Sequence, residues 1–92
     1  MPKYYPFKVY GYYLYYTSFC VIECIHVHAS DSKLSEGGSA QFFVRCDGST
    51  LVQKKGALTD MEIRRLQGFI REHYLEMYEV WKTDSDNGFY EK

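Results

Sequence analysis

Two hydrophobic periods divide the chain. From Phe7 to Lys54 the apolar positions fall in short runs of aromatic and β-branched residues broken by turn residues, and from Ile63 to Trp81 they recur at steps of three and four. Strands come first and a helix follows. Met1 to Pro6 is a short lead whose two prolines favour extended backbone. Phe7 to Tyr16, rich in Tyr, Phe, Val and Leu, predicts a first strand, with Gly11 as a bulge or a point of close backbone approach. Thr17-Ser18 is a turn signal before a second strand over Phe19 to Ser30, and Asp31 to Ser39 is a loop. Gln41 to Cys46 and Ser49 to Lys54 predict a third and a fourth strand joined at Asp47-Gly48, a strong hairpin signal.

Thr59-Asp60-Met61-Glu62 has the form of a capping box, in which hydroxyl and carboxylate satisfy backbone donors at a helix start. A long helix follows, with Ile63, Leu66, Ile70, Tyr74, Met77 and Trp81 on one stripe and arginines and glutamates over much of the rest. The fold class expected is α+β: a four-stranded, mostly antiparallel meander with the C-terminal helix packed on one face. Ninety-two residues leave room for a single domain and one core. Residues 83 to 92, polar and acidic apart from Phe89-Tyr90, predict a frayed or loosely docked tail.

Composition adds two constraints. The formal charge is −1, yet residues 1–58 carry six Lys/Arg against four Asp/Glu, and residues 59–92 carry five against eight. That asymmetry does not predict tight, sequence-independent nucleic-acid binding, but it leaves room for a local basic patch in the first part. Three cysteines, Cys20, Cys24 and Cys46, are odd in number and have no disulfide-framework spacing, which points to reduced thiols. Phe7 to Tyr16 lacks the plain apolar stretch of a signal peptide and is too short to span a membrane, so a cytoplasmic protein is expected.

Candidate chemistry gathers at Glu23-Cys24-Ile25-His26-Val27-His28. On a strand, His26 and His28 project to one face and Ile25 and Val27 to the other. Two imidazoles on one face can act as general acid and base, or ligate a metal, or stand as half-exposed polar residues. Metal-free RNA cleavage needs a base, an acid and a cation near the phosphate, for which His26, His28 and Arg45 are the candidates. Lys54 and Lys55 offer phosphate contacts, and Tyr13, within the cluster Tyr12, Tyr13, Tyr15 and Tyr16, offers a ring for base stacking. The plainer account makes the lysines a guard on a strand edge and the tyrosines ordinary amphipathic packing. If residues 19–30 form one regular strand, Cys24, His26 and His28 also make an alternative zinc set, with Cys20 on the same face and Cys46 on a neighbouring strand. His73 sits beside the apolar stripe and is expected to mark its boundary.

Gly11-Tyr12-Tyr13-Leu14-Tyr15-Tyr16, the Glu-Cys-Ile-His-Val-His run, Ala40-Gln41-Phe42-Phe43-Val44 before Asp47-Gly48, and a helix ending in Trp81 together resemble domain-of-unknown-function family 4160. Cys24 stands where that family usually has proline, and apolar Phe19 to Ile22 replaces its polar turn. The resemblance implies a compact bacterial protein, often encoded beside a small protein partner, in an arrangement like a toxin and antitoxin pair. Two functions are therefore expected in competition. One is a toxin-antitoxin-type component acting on RNA through the paired histidines, and the other is a non-catalytic interaction module that binds a partner or itself through a sheet edge.

Overall fold

Alternation along each strand decides which side chains meet the helix. The computed structural model describes residues 3–16, 24–31, 38–83, 85 and 88–90. Four strands, β1 (Tyr13–Tyr15), β2 (His26–Ser30), β3 (Ala40–Val44) and β4 (Thr50–Lys54), pair antiparallel in the order β1-β2-β3-β4, followed by helix α1 (Asp60–Lys82). This is the meander with a C-terminal helix that the hydrophobic pattern predicts. Leu14, Ala29 and Ala40 lie side by side across three strands, as do Val27, Phe42 and Val52. Those rows face α1, whose Ile63, Leu66, Ile70, Met77 and Trp81 complete the core. Ala29 and Ala40 leave space there for larger neighbours, so the layers interlock.

The helix begins where the capping box places it. The Thr59 amide donates to Glu62 Oε1 at 2.8 Å, and the Glu62 amide donates to Thr59 Oγ1 at 3.2 Å. That exchange satisfies two of the donors a helix start leaves open. Tyr12 adds a third contact, its hydroxyl donating to Glu62 Oε2 at 2.8 Å and tying the first strand region to the helix.

One local expectation needs correction, and two flanking segments gain definite places. The first strand is short, because Tyr10 (φ 51°) and Gly11 (φ 90°) form a two-residue turn between Val9 and Tyr12, whose backbones exchange hydrogen bonds at 2.7 and 3.1 Å. Positive φ at both central residues is the geometry whose twist suits a hairpin, so Gly11 serves a turn and not a bulge. Within the lead, residues 3–5 lie along β1: the Tyr4 amide donates to Leu14 O at 2.8 Å, and Lys3 bridges Tyr15, which covers the outer side of β1. Part of the tail is placed as well. Residues 88–90 dock, with Ile25 N donating to Gly88 O at 3.0 Å and Tyr90 N to Val44 O at 2.9 Å, beside Arg45.

The β3–β4 connection is a hairpin, as expected, but its loop is Cys46-Asp47-Gly48. The Arg45 amide donates to Ser49 O at 2.8 Å, and of these three loop residues Gly48 takes a positive φ, 87°. A Cβ at Gly48 would stand 2.6 Å from the Tyr74 ring, so the loop is held tight against α1. The second strand is described from His26 onward. The Thr17-Ser18 turn, residues 19–23 and most of the Asp31 to Ser39 loop lie outside the described residues.

Candidate functional site

The face of the sheet turned away from α1 carries Tyr13 and Tyr15 on β1, His26, His28 and Ser30 on β2, Gln41 and Phe43 on β3, and Leu51 on β4. Cross-strand register fixes the rows: Tyr15 opposite His28 and His28 opposite Gln41, then His26 opposite Phe43 and Phe43 opposite Leu51. Period-two alternation from the apolar core positions makes this placement obligatory.

Lys54 reaches this face through an irregularity. Phe42 pairs with Val52, but Gln41 pairs with Lys54, so Gln53 is an extra residue on β4. In unbroken register Lys54 would sit opposite Ala40 and aim at the helix. The bulge turns it to the outer face, in the row that holds Gln41 and His28.

The rings on this face form a chain of contacts. Tyr15 and His28 stack at 5.2 Å between centroids, His28 and His26 at 6.2 Å, His26 and Phe43 meet at 4.2 Å, and Phe43 and Tyr90 stack at 4.7 Å. Arg45 places its guanidinium 5.8 Å from the Tyr90 ring centre and donates to Ser49 Oγ at 3.5 Å. At the other end Lys3 and Lys8 stand 4.1 and 5.5 Å from the centre of the Tyr13 ring. Cations thus flank the aromatic row at both ends, and the four strands contain neither Asp nor Glu.

Exposure along the face is uneven. Tyr15 and His26 are 1% and 2% exposed, whereas Tyr13, His28, Phe43 and Tyr90 are half-buried. The Tyr4 hydroxyl donates to the His26 carbonyl at 2.6 Å, fixing the backbone at the start of β2. Burial, then the His26 neighbour and the Lys54 charge, lower the His28 pKa from 6.5 to about 4. At neutral pH His28 is an uncharged imidazole, able to accept a proton but carrying none to donate as a cation.

The structure therefore brings some of the expected residues together and separates others. His26 and His28 share a face as expected, but the His26 ring is covered, so the two do not present paired imidazoles to one substrate atom. Arg45 shares that face but stands at its Tyr90 end, with Phe43 and His26 between that ring and His28 in the row. Lys54 is the cation nearest His28 in register. Lys55 pairs with Asp60 at 2.6 Å, a surface ion pair at the entry to α1. Tyr13 lies at the β1 end under its two lysines. His73 stacks on Phe69 at 4.3 Å on the helix flank, where the Tyr5 ring also meets Phe69.

Among the described residues no three His, Cys, Asp or Glu side chains are grouped as metal ligands; Cys24 is half-buried just outside β2, and Cys46 is exposed in the β3–β4 loop. Cys20 lies outside the described residues. No helix among the described residues is long and apolar enough to cross a membrane.

Sequence reasoning missed Phe43, Tyr90, Lys3 and Lys8 as members of this face. The signal for Tyr90 was its adjacency to Phe89: in an extended segment the two rings must point to opposite sides. Phe89 stacks on Tyr78 at 4.2 Å and Tyr90 on Phe43. Set against family models, curated proteins and solved structures, the chain finds no match.

Proposed function

We propose that this chain is an RNA-acting component of the toxin-antitoxin type, and that it holds single-stranded RNA on the sheet face turned away from α1. The observation that carries the reading is the aromatic row from Tyr13 to Tyr90, bounded by Lys3, Lys8, Lys54 and Arg45 on strands free of acids. Unstacked bases stack on exposed rings of a sheet while neighbouring cations take the phosphates. The half-buried rings Tyr13, Phe43 and Tyr90 are the stacking positions. Tyr15 and His26 lie buried in the same row, with His28 between them. Double-stranded RNA, whose bases are already stacked, gains little from such a surface.

With His26 covered and His28 uncharged, this face offers a proton acceptor without a matching acid. Holding the strand, more than cutting it, is the action this arrangement supports.

Fluorescence anisotropy with a labelled single-stranded RNA at low salt tests the proposal. Tyr13→Ala and Tyr90→Ala are each expected to weaken binding by about 1–3 kcal/mol, the usual worth of one stacked base. Arg45→Ala is expected to lower the salt slope by about one. No binding at low salt, or binding indifferent to both tyrosines, removes the proposal. Expression of the His26→Ala, His28→Ala double variant tests the catalytic form separately: unchanged growth inhibition means the pair carries no chemistry.

A second reading, a protein-interaction module, is favoured by β4. The described sheet ends there, and its residues run from half-buried to exposed, a row onto which another strand can add. Size-exclusion chromatography with light scattering, alone and with the small cognate partner, checks it. A monomer that binds no cognate protein excludes this use of the edge.

A further inference from the structure

The geometry points to a phosphate-binding groove on the helix side of the sheet, where the β3–β4 hairpin meets the middle of α1. The groove is open, about 270 Å³ in volume, and is lined by Gly48, Ser49, Thr50, Gln67, Gly68 and Arg71. Its lining shares no residue with the aromatic row, although Ser49 at its rim accepts from Arg45, and the inference does not rest on the RNA reading.

Three features converge there. The first is the donor set: Gln67 Nε2 donates to Thr50 Oγ1 at 3.0 Å, which leaves the Thr50 hydroxyl proton and the second amide hydrogen of Gln67 for a ligand. Arg71, exposed on the same wall, makes no ion pair or side-chain hydrogen bond with another described residue. The second is Gly68. Glycine is a poor residue for a helix interior, and here no neighbour demands it, since a Cβ at this position would meet nothing within 4 Å. Its effect is a notch in α1 between Gln67 and Arg71, where a ligand can approach the helix closely.

The third feature is the rigidity of the facing wall. Asp47 Oδ1 accepts from the Ser49 amide at 2.9 Å and from the Ser49 hydroxyl at 2.6 Å, and the loop packs against Tyr74 through Gly48. Asp47 adjoins the groove through Gly48, and its charge and that of Arg71 act on each other. Both bonds from Ser49 fall on Oδ1, and among the described residues no hydrogen bond or ion pair joins Asp47 to the Arg71 fork. Donors stand on the helix wall and on the strand wall, so the fitting ligand accepts hydrogen bonds on several sides. A phosphate does this with its tetrahedral oxygens, whereas a carboxylate offers two oxygens in one plane.

The test is an amide NMR titration of the whole protein with inorganic phosphate. Saturable shifts are expected at Gly48, Ser49, Thr50, Gln67, Gly68 and Arg71. Arg71→Ala is expected to weaken binding about tenfold, the worth of one charge-assisted hydrogen-bonding group, and Gly68→Leu to block the notch while the fold persists. Arg64→Ala, outside the groove lining, keeps full binding. Absence of saturable shifts, or undiminished binding by Arg71→Ala, overturns the site. Two further arms identify the source of the phosphate: a short RNA with a 5′-phosphate, and the same RNA with a 5′-hydroxyl. Shifts at the groove from the first alone assign a nucleic-acid end, and equal shifts from free phosphate and the phosphorylated RNA assign the bare ion. Loss of RNA binding on the sheet face through Tyr90→Ala leaves the titration with inorganic phosphate unchanged, so the two proposals fail separately.

Discussion

At neutral pH the His28 ring is uncharged, because burial, His26 and Lys54 hold its pKa at about 4 against 6.5 in an exposed setting. The unfolded chain takes up a proton at His28 that the folded chain resists. Stability from this residue is therefore complete above about pH 6.5 and is lost as the pH falls toward about 4. Allowing for the part of the ring that water reaches, the loss is roughly 2 kcal/mol. Urea unfolding at about pH 7.5 and about pH 5 reads the larger part of it, and His28→Phe, which keeps a ring against Tyr15, is expected to flatten the difference; an unchanged slope contradicts the assignment. Tyr10 is the other residue under local constraint. Its φ of 51° is costly for a large side chain, and its ring is 57% exposed, so little packing compensates. Tyr10→Asn is expected to stabilise the protein by about 0.5–1 kcal/mol, read as a higher midpoint in denaturant.

At the scale of elements, α1 holds the clearest contrasts. Removing the capping hydroxyl with Thr59→Ala is expected to cost about 1 kcal/mol. Gly68→Ala is expected to gain up to about 1 kcal/mol, because a methyl there meets no neighbour and alanine is the better helix former. Gly48→Ala goes the other way: its backbone is left-handed and the added carbon would collide with Tyr74, so it should cost more than the other glycine change gains. Thermal unfolding of the three variants side by side checks the order, Gly68→Ala highest and Gly48→Ala lowest. If Gly68→Ala fails to rise, the notch has a packing role that its open surroundings do not suggest.

For the whole molecule, the core is a single layer of side chains between one sheet and one helix. Trp81 near the end of α1 and Phe42 at the centre of β3, neither exposed at all, belong to this one core. Trp81→Ala is expected to cost about 3–5 kcal/mol, a large share of the roughly 5–15 kcal/mol that holds a domain folded. Near-ultraviolet circular dichroism and chemical denaturation would show that loss. The docked segment 88–90 belongs to this scale too, since Phe89 packs on Tyr78 toward the helix side while Tyr90 packs on Phe43. Charge is divided the same way: the four strands carry no acid, and α1 carries five, Asp60, Glu62, Glu72, Glu76 and Glu79.

What the residues determined by themselves is what local chemistry controls. The capping box at Thr59, the stripe from Ile63 to Trp81, the hairpin at Asp47-Gly48 and the shared face of His26 and His28 each depend on neighbours a few positions away, and each was legible. Tertiary structure decided the rest. The bulge at Gln53 turned Lys54 toward His28, pairing of residues 3–5 with β1 put Lys3 over Tyr13, and docking of residues 88–90 brought Tyr90 onto Phe43. It also covered His26, which separated two histidines that the sequence presents as equals. The physical reason is one of range: periodicity and capping are properties of adjacent turns, whereas register, bulges and burial are fixed only when distant strands compete for the same hydrogen bonds and the same core.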